Sequence, residues 1–493
     1  MPGNRAAPWR ARVPAGWRLF VLLLVWAVML RARDFGNPII HVDEQYYLLV
    51  GDRMRHGAWP YLDLWDRKPV GLFLIFAAIR LLPGDAIWGY QLAATLFAAV
   101  TAWLIAHGSR RLGAGPASAA VAGLAYILWL SLLSGRGGQS PVFYNLFMGG
   151  AGVLTLRLPD LAARRAGGAI ATNGIAACLL AGLAVQTKYT PAVEGAFFGL
   201  AHMWYAHRAG MRPVTLAAAA LLWASLGLFP TALAALAYTL HGPAAFDAFW
   251  FANFTSVSMR RGYPAMKIAA RLAGTGAQLL PFVVAAVAMW RRTPRPPAVN
   301  IAFGWLLAAG IAFAMIGAFF DHYAIPLMVP LAMIAGAALR GEIRWAAALL
   351  GYGLILFVAR VLLVPTEASS ARSVAQVMKA YDGSECPYVF AGDAVLYLLA
   401  DACVPTAYAF PSTLAYDPER GATGVDEAAE VRRILARGPP VIVTMDEPMA
   451  PWNPQTQPLV AAVLAAKYQR VLTAPREDAH LLVYVRRDRL HQR

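Results

Sequence analysis

The chain has 493 residues, of which 59% are hydrophobic, and its mean hydropathy is +0.51. These values exclude an ordinary soluble globular protein and predict an integral membrane protein. The formal net charge of +16 is explained in such a protein by arginine and lysine residues in short cytoplasmic loops beside anionic lipid headgroups. Because the sequence has no long basic run or basic–aromatic stripe outside these loops, we expect no nucleic-acid partner.

Apolar segments of helical length follow one another through residues 1–364. The first, 19–30, is short for a membrane span, but Arg18 and Arg31 can reach the two interfaces from its ends. No small-residue cleavage site follows it, so it is interpreted as an anchor. We predict a polytopic transmembrane domain of about eleven helices. The ten further candidate spans are 88–107, 117–134, 142–158, 169–187, 189–206, 214–240, 268–290, 299–319, 323–339 and 345–364.

Basic residues set the direction of the spans. An N-terminal cluster places the N-terminus in the cytoplasm; it consists of Arg5, Arg10, Arg12 and Arg18. Alternation then places the later basic clusters on the same side; they are Arg110/Arg111, Arg157/Arg164/Arg165, Arg208/Arg212, Arg291/Arg292/Arg295 and Arg340/Arg344. This agreement requires that segment 70–82 does not cross, since 13 residues of helix cover about 20 Å of a core of about 30 Å. The segment is predicted to be an interfacial helix that begins after Pro69.

The same topology defines the outer segments. They are the long first outer loop 34–87, the glycine-rich turn 135–141, the turn 186–190 and the loop 241–267. Residues 365–493 are also outer, and strand-like runs there alternate with helical patterns, which predicts a small extracytoplasmic α/β domain. Two of the three cysteines, Cys386 and Cys403, lie in this domain, and a disulfide and two buried thiols are equally compatible with the sequence.

Charged residues of the first outer loop can support chemistry. Asp43 occupies a helix N-cap position and Glu44 the first turn, so capping is the simplest alternative for both. The run Asp66-Arg67-Lys68 has a simple alternative too, a solvated charge run beside the membrane. Together, however, a carboxylate and cations at one water–lipid boundary can deprotonate a hydroxyl and stabilise a phosphate leaving group. Further cations on this side, each also explained as an interface anchor, are Lys188, Arg260, Arg261 and Lys267.

Residues 42–71, "VDEQYYLLVGDRMRHGAWPYLDLWDRKPVG", resemble the first outer loop of membrane glycosyltransferases that use polyprenyl-phosphate sugars. That superfamily includes the lipid A aminoarabinose transferases and the protein O-mannosyltransferases. The shared features are an Asp-Glu pair after the first span, an aromatic-Pro-Tyr-x-Asp segment at 59–63 and Asp-x-Lys-Pro at 66–69. Segments 186–195, 249–254 and 321–330 are also similar to later parts of such enzymes. The resemblance covers about the first 360 residues.

The resemblance implies a GT-C-like fold and an inverting transfer of a sugar from a polyprenyl-phosphate donor. The acceptor would be lipopolysaccharide or another glycolipid, a polysaccharide or a protein. By match to the family's motifs, Asp43 would be the catalytic base, with Glu44 beside it. The implied donor phosphate-binding residues are Lys68, Arg67, Lys188, Arg260 and Arg261, and the implied substrate-binding residues are Tyr61, Asp63, Asp66, His322 and Tyr323. The implied location is the bacterial inner membrane, with the active site and the C-terminal domain on the periplasmic side.

The chain departs from the family in two places. Val70 replaces a second proline, and the outer loop "GRGGQSPVFYN" at 135–145 has Gln139 and Ser140 where the family often has a second acid. The residues require no cofactor or metal, and the Asp321-His322 pair is explained by a helix cap as well as by a divalent-metal ligand pair. The alternative function is a transporter or flippase of a lipid-linked or anionic solute, followed by a non-catalytic binding protein. The near absence of charge deep within the spans favours the enzyme over the transporter.

Overall fold

The computed structural model describes residues 15–363, 368–381 and 383–490. Arg5, Arg10 and Arg12 of the N-terminal basic cluster, and the predicted domain boundary at 364/365, lie outside the described residues. Residues 15–363 form a bundle of helices, because their apolar stretches can satisfy every backbone polar group only within a helix when they are surrounded by lipid. These helices are α1 (Ala15–Arg31), α2 (Val42–Met54), α3 (Val70–Ile79), α4 (Ala86–Arg111), α5 (Pro116–Leu132), α6 (Ser140–Thr155), α7 (Leu158–Ala163), α8 (Gly167–Val185), α9 (Pro191–Arg208), α10 (Pro213–His241), α11 (Pro243–Trp250), α12 (Ala265–Trp290), α13 (Pro297–Ile316), α14 (Met328–Leu339) and α15 (Ile343–Leu363).

In the part of the chain that the structure describes, eight helical segments are long and apolar enough to cross a membrane. The multi-pass architecture is therefore confirmed, whereas the predicted count of about eleven spans is not. Three of the predicted spans correspond to α1, α5 and α9, which are helices of 17, 17 and 18 residues.

Segment 70–82 contains the short helix α3, which begins directly after Pro69. Its ten residues rise about 15 Å, which is too short to cross a bilayer core. Helix α3 packs beside α2, and Arg80 at its end donates to Asp52 at the end of α2, with 2.9 Å between Nε and Oδ1. The two helices run side by side, so their first residues lie near each other.

The predicted inner and outer segments separate to opposite ends of the bundle. At one end Arg111 of α4 pairs with Asp160 of α7 at 3.4 Å, and Arg292 donates to the carbonyl of Ala338 at 2.6 Å. At the other end Ser134 donates to Asp321 at 2.6 Å. Each contact thus joins two segments that the alternation of basic loops places on the same side of the membrane.

Residues 368–381 and 383–490 form a small domain around a four-stranded sheet, as the sequence predicts. The strand order is β1-β2-β4-β3; β1 and β2 are parallel and the other neighbours are antiparallel. The structure joins Cys386 to Cys403 in a disulfide, which selects one of the two alternatives that the sequence leaves. The elements are α16 (Ala368–Ala380), β1 (Tyr388–Val389), α17 (Val395–Leu399), α18 (Ser412–Ala415), α19 (Glu427–Ala436), β2 (Val441–Met445), α20 (Gln457–Lys467), β3 (Tyr468–Arg476), β4 (Ala479–Arg486) and α21 (Arg487–Leu490).

This C-terminal domain rests on the first outer loop. Gln45 of α2 donates to Asp393, with 2.8 Å between Nε2 and Oδ1, and Arg476 pairs with the same buried carboxylate at 2.9 Å. The backbone N–H of Trp65 donates to the carbonyl of Ala407 at 2.8 Å. The domain therefore covers the end of the bundle at which α2 and α3 begin.

Candidate active site

A cavity of about 310 Å³ lies between the first outer loop and the C-terminal domain. Its membrane-domain wall carries most of the charge that the sequence singles out. Mainly apolar, aromatic and hydroxyl residues of segments 410–416 and 449–451 close the other side. The charged and polar lining residues from the membrane domain include Asp43, Asp66, Lys68, Arg260, His322 and Tyr323.

Asp43 is held at the beginning of α2 by His41. The Nδ1 atom of His41 accepts the backbone N–H of Asp43 at 3.3 Å and caps the helix. Gln139 places its Nε2 atom 2.5 Å from the same His41 nitrogen and 3.5 Å from Oδ2 of Asp43. An accepting Nδ1 requires a neutral ring at that nitrogen, and burial lowers the pKa of His41 to about 4. Neutral His41 therefore holds the backbone of Asp43 at the start of the helix, and Gln139 contacts its carboxylate.

The charge of Asp43 is set mainly by Lys68. Burial alone would raise the pKa of Asp43, but the ammonium of Lys68 is the largest influence that lowers it, and the net pKa lies below the ordinary value. The Oδ2 atom lies 3.8 Å from Nε2 of His322. Asp43 is consequently ionised at neutral pH and can accept a proton.

Two lysines share the cation cluster beside Asp43 but differ in their electrostatics. Burial lowers the pKa of Lys68, but Asp66 and Asp43 outweigh burial, so the net pKa is raised. Burial and the neighbouring charge of Lys68 lower the pKa of Lys188 to about 7, and its ammonium lies 4.1 Å from the centre of the Tyr323 ring. Lys68 is therefore a permanent cation, whereas Lys188 can gain or lose its proton near neutral pH.

The three predicted arginines face the C-terminal domain. Arg67 and Arg260 each pair with one oxygen of Glu419, both at 2.6 Å. Arg67 also stacks over the Trp65 ring, 4.7 Å from its centre. Arg261 is half exposed and lies 3.8 Å from Asp417. Arg67 and Arg260 line the cavity, and Arg261 is not among its lining residues.

The predicted residues of segment 61–66 divide between three environments. Tyr61 is buried below the loop, where its hydroxyl donates to the carbonyl of Lys68 at 2.7 Å. Asp63 is exposed and accepts the backbone N–H of Trp59 at 2.7 Å, outside the cavity lining. Asp66 lines the cavity, and burial raises its pKa. Of these three residues, only Asp66 is placed to contact a ligand in the cavity.

Glu44 points away from the cavity into the protein. It is fully buried below the glycine-rich turn, where its carboxylate contacts the backbone N–H of Gly138. A side chain at Gly137 would collide with this carboxylate, so the turn requires glycine there. Burial, opposed in part by the Gly138 N–H and by Arg136, raises the pKa of Glu44 to about 8. This environment is that of a protonated structural acid.

We expect Glu44→Gln to retain sugar transfer and to change the pH dependence of stability. The folded pKa of about 8 lies above the ordinary value of 4.5, so the folded state binds this proton more tightly. The corresponding stability is complete below pH 4.5 and is lost as the pH rises through about 8. The thermal unfolding temperature should fall less between pH 6 and pH 9 for Glu44→Gln than for the parent. A loss of transfer with unchanged stability would instead make Glu44 the catalytic acid that the resemblance implies.

Three residues of the site were missed by sequence reasoning. His41 carries a local signal, because a polar residue two positions before Asp43 can cap the helix. In the sequence, Gln139 only marks the place of the second acid of the family, but in the structure its amide contacts both Asp43 and His41. Glu419 lies 352 positions from Arg67 in the sequence, and nothing local distinguishes it from a surface acid.

An apolar groove of about 650 Å³ adjoins the cation cluster. Leu74 of α3, Phe147 of α6, Leu183 of α8 and Leu233 of α10 line its walls. Gly71 allows α3 to approach the neighbouring turn closely, since a Cβ atom there would lie 2.6 Å from the carbonyl oxygen of Gln186. The groove includes Val70 and Thr187, which place it beside Lys68 and Lys188.

Among the described residues, no group of three or more His, Cys, Asp or Glu side chains is placed to hold a metal ion. Asp321 and His322 approach each other, with 3.5 Å between Oδ1 and Nδ1, and Asp321 also accepts the His322 backbone N–H at 2.7 Å. Asp321 therefore holds the backbone of His322 and lies near its imidazole ring.

No protein-family model matches the chain, and no curated protein matches it. Two solved structures of ArnT, a lipid A aminoarabinose transferase, from Cupriavidus metallidurans are similar to it. The ArnT structure bound to undecaprenyl phosphate has a TM-score of 0.61 and 16% sequence identity, over 96% of this chain and 98% of that chain. The apo structure has the same TM-score and identity, over 95% and 97%. Arabinosyltransferase EmbB from Mycobacterium smegmatis has a TM-score of 0.45 and 14% identity, over 89% of this chain and 43% of that chain. The likeness to ArnT confirms the predicted GT-C fold.

Proposed function

We propose that the protein is an inverting glycosyltransferase that moves a sugar from a polyprenyl-phosphate donor to an acceptor hydroxyl. The observation that carries the proposal is the cavity in which Asp43 and Lys68 face the same space beside an apolar groove. Carboxylate, cations and groove correspond to the three parts of the reaction, which are the acceptor proton, the leaving phosphate and the lipid tail.

The groove supports a lipid-linked donor over a soluble one. A polyprenyl chain gains free energy from apolar contacts, and the groove lies between α3 and α10, where its lining residues Val70 and Thr187 are close in the chain to Lys68 and Lys188. ArnT, which has the same fold, is described as bound to undecaprenyl phosphate. A donor phosphate at the end of the groove would lie between the two lysines.

In the proposed reaction the acceptor oxygen attacks the anomeric carbon while Asp43 takes its proton. The bond between the anomeric carbon and the phosphate oxygen breaks on the opposite face, and Lys68 and Lys188 stabilise the departing phosphate. A single displacement of this kind inverts the anomeric configuration. A bound phosphate also neutralises the charge of Lys68, which would raise the pKa of Asp43 and make it a stronger base once the donor is present.

We propose that the site faces the periplasm of a bacterial inner membrane, and that the acceptor is lipopolysaccharide or another glycolipid, a polysaccharide or a protein. The basic loops support this orientation, because Arg111 and Arg292 lie at the end of the bundle opposite the cavity.

The orientation predicts the behaviour of a topology reporter. A reporter that is active only in the periplasm, fused after Arg493, is expected to be active, and one that is active only in the cytoplasm is expected to be silent. The matched fusion after Arg212, in an inner loop, should give the opposite pattern. Cytoplasmic activity at the C-terminal end would reject the proposed side of the membrane and the donor location with it.

The direct test is the release of polyprenyl phosphate from a polyprenyl-phosphate sugar by purified protein, with glycan acceptors supplied in turn. Transfer with inverted configuration supports the enzyme, and insensitivity to a chelator supports the proposed metal-free steps. Movement of intact donor across a proteoliposome membrane, without chemical change, would favour the transporter instead. The glycan that disappears when the gene is deleted identifies the acceptor.

A further inference from the structure

The C-terminal domain contributes one acid to the cation cluster. Glu419 ends the short turn Asp417–Glu419, is only 6% exposed and divides its two oxygens between Arg67 and Arg260. We infer that Glu419 is a positioning residue through which the C-terminal domain holds Arg260 against the donor phosphate. This inference rests on the proposed function and gives the C-terminal domain a part in donor binding.

The carboxylate is committed to its two partners. Each guanidinium approaches a different oxygen at 2.6 Å, the short distance typical of charge-assisted hydrogen bonds. Burial raises the pKa of Glu419, but Arg260 and Arg67 outweigh burial, so the net pKa is lowered and the acid is ionised. One charge of the C-terminal domain therefore joins two outer segments of the membrane domain.

The two arginines use this charge differently. Arg67 also donates to Ser256 Oγ at 3.0 Å and to the Ala422 carbonyl at 3.0 Å. The N–H groups of its guanidinium are therefore used in contacts within the protein. Arg260 donates to Glu419 through Nη2, about a third of its side chain is exposed, and it lines the cavity. Arg260 is therefore the arginine that is available to a ligand.

Arg260 needs a counter-charge to stay where it is. Its positive charge opposes the rise in the pKa of Lys68 and adds to the lowering of the pKa of Lys188, because three cations lie close together. The backbone at Arg260 is extended, directly after the short turn Ser256–Met259, so no helix fixes its position. The contacts that hold it come from the C-terminal domain, through Glu419 and through the carbonyl of Pro418, which accepts the Arg261 N–H at 3.3 Å.

The test measures binding of undecaprenyl phosphate to purified full-length protein by native mass spectrometry or tryptophan fluorescence. Glu419→Gln keeps the shape of the side chain and removes its charge, and we expect affinity to fall about tenfold or more. Affinity for uncharged undecaprenol should not change, because the tail site is intact. The matched control is Glu385→Gln, which removes an ion pair with Arg489 inside the C-terminal domain and should leave both affinities unchanged.

Parental affinity for undecaprenyl phosphate in Glu419→Gln would overturn the inference. Tighter binding would overturn it as well, because it would mean that Glu419 competes with the phosphate for Arg260. If Glu419→Gln unfolds at a lower temperature, Glu419→Asp is the deciding variant, because it keeps the charge but cannot span both guanidiniums. We expect it to bind undecaprenyl phosphate with intermediate affinity. Parental affinity would refute the positioning role of Glu419. No binding by the parent would refute the proposed donor together with this inference, whereas parental binding without an effect at Glu419 refutes the inference alone.

Discussion

Asp43→Asn is expected to fold, to bind donor and to lose about 10²-fold or more of the transfer rate. The amide keeps the size of the side chain and can still contact Gln139, but it cannot take the proton of the acceptor hydroxyl. Because Lys68 keeps its charge in this variant, the phosphate site remains. The measurement is the initial rate of polyprenyl phosphate release at saturating donor, together with the thermal unfolding temperature.

The control for this variant is Glu44→Gln, which changes the adjacent acid. Asp43 lines the cavity, whereas Glu44 lies below the turn at Gly138, so only the first substitution should abolish transfer. A parental rate in Asp43→Asn would refute its role as the base. A similar loss of transfer rate in both variants would point to a shared structural cause. The unfolding temperatures would then show whether the fold is destabilised or a catalytic group is lost.

The membrane architecture was predictable because hydropathy and loop charge act locally along the chain. Segment 70–82 was predicted not to cross from its length alone, and α3 has that length. The number of spans was less predictable. Helices α1 and α5 have 17 residues each, which places them at the limit between spanning and shorter helices.

The candidate site was partly predictable for a related reason. Asp43 and Lys68 both lie at the beginning of a short helix, and sequence pattern locates helix starts well. The direction of neighbouring side chains was not predictable. Tyr61 has a positive φ of 71°, which turns it below the loop, and Glu44 follows Asp43 by one position but points into the protein interior.

Contacts between distant segments lay beyond sequence reasoning. Glu419 meets Arg67 only because the C-terminal domain folds back over the first outer loop. Without an observed docking of that domain, Arg67 is indistinguishable from a free cation beside Lys68. In the structure Arg67 lines the cavity and also forms a contact between the two parts of the chain through Glu419.

Lys68→Ala is expected to weaken donor binding and to slow transfer, with a combined loss of about 10²-fold in kcat/KM. Lys68 lines the cavity, and the Tyr61 hydroxyl donates to the backbone carbonyl of Lys68 at 2.7 Å, which fixes the backbone that carries the cation. Arg67 cannot replace it, because that guanidinium is bound to Glu419. Lys68→Arg should recover part of the loss, since a planar fork replaces a point charge. The exposed Lys379→Ala in α16 is the charge-matched control and should behave as the parent.

The pH profile of Lys68→Ala separates a catalytic cation from a surface anchor. Lys68 is the largest influence that lowers the pKa of Asp43, so its removal should raise that pKa. The acidic limb of the pH–rate profile, where Asp43 becomes protonated, should therefore move to higher pH. The same removal should raise the pKa of Lys188 above about 7, because a neighbouring positive charge has gone, and this keeps Lys188 protonated and limits the loss. Both limbs of the profile should therefore move to higher pH. If Lys68→Ala binds donor and transfers sugar with the parental pH profile, the charged segment 63–68 serves only to hold the loop at the membrane surface.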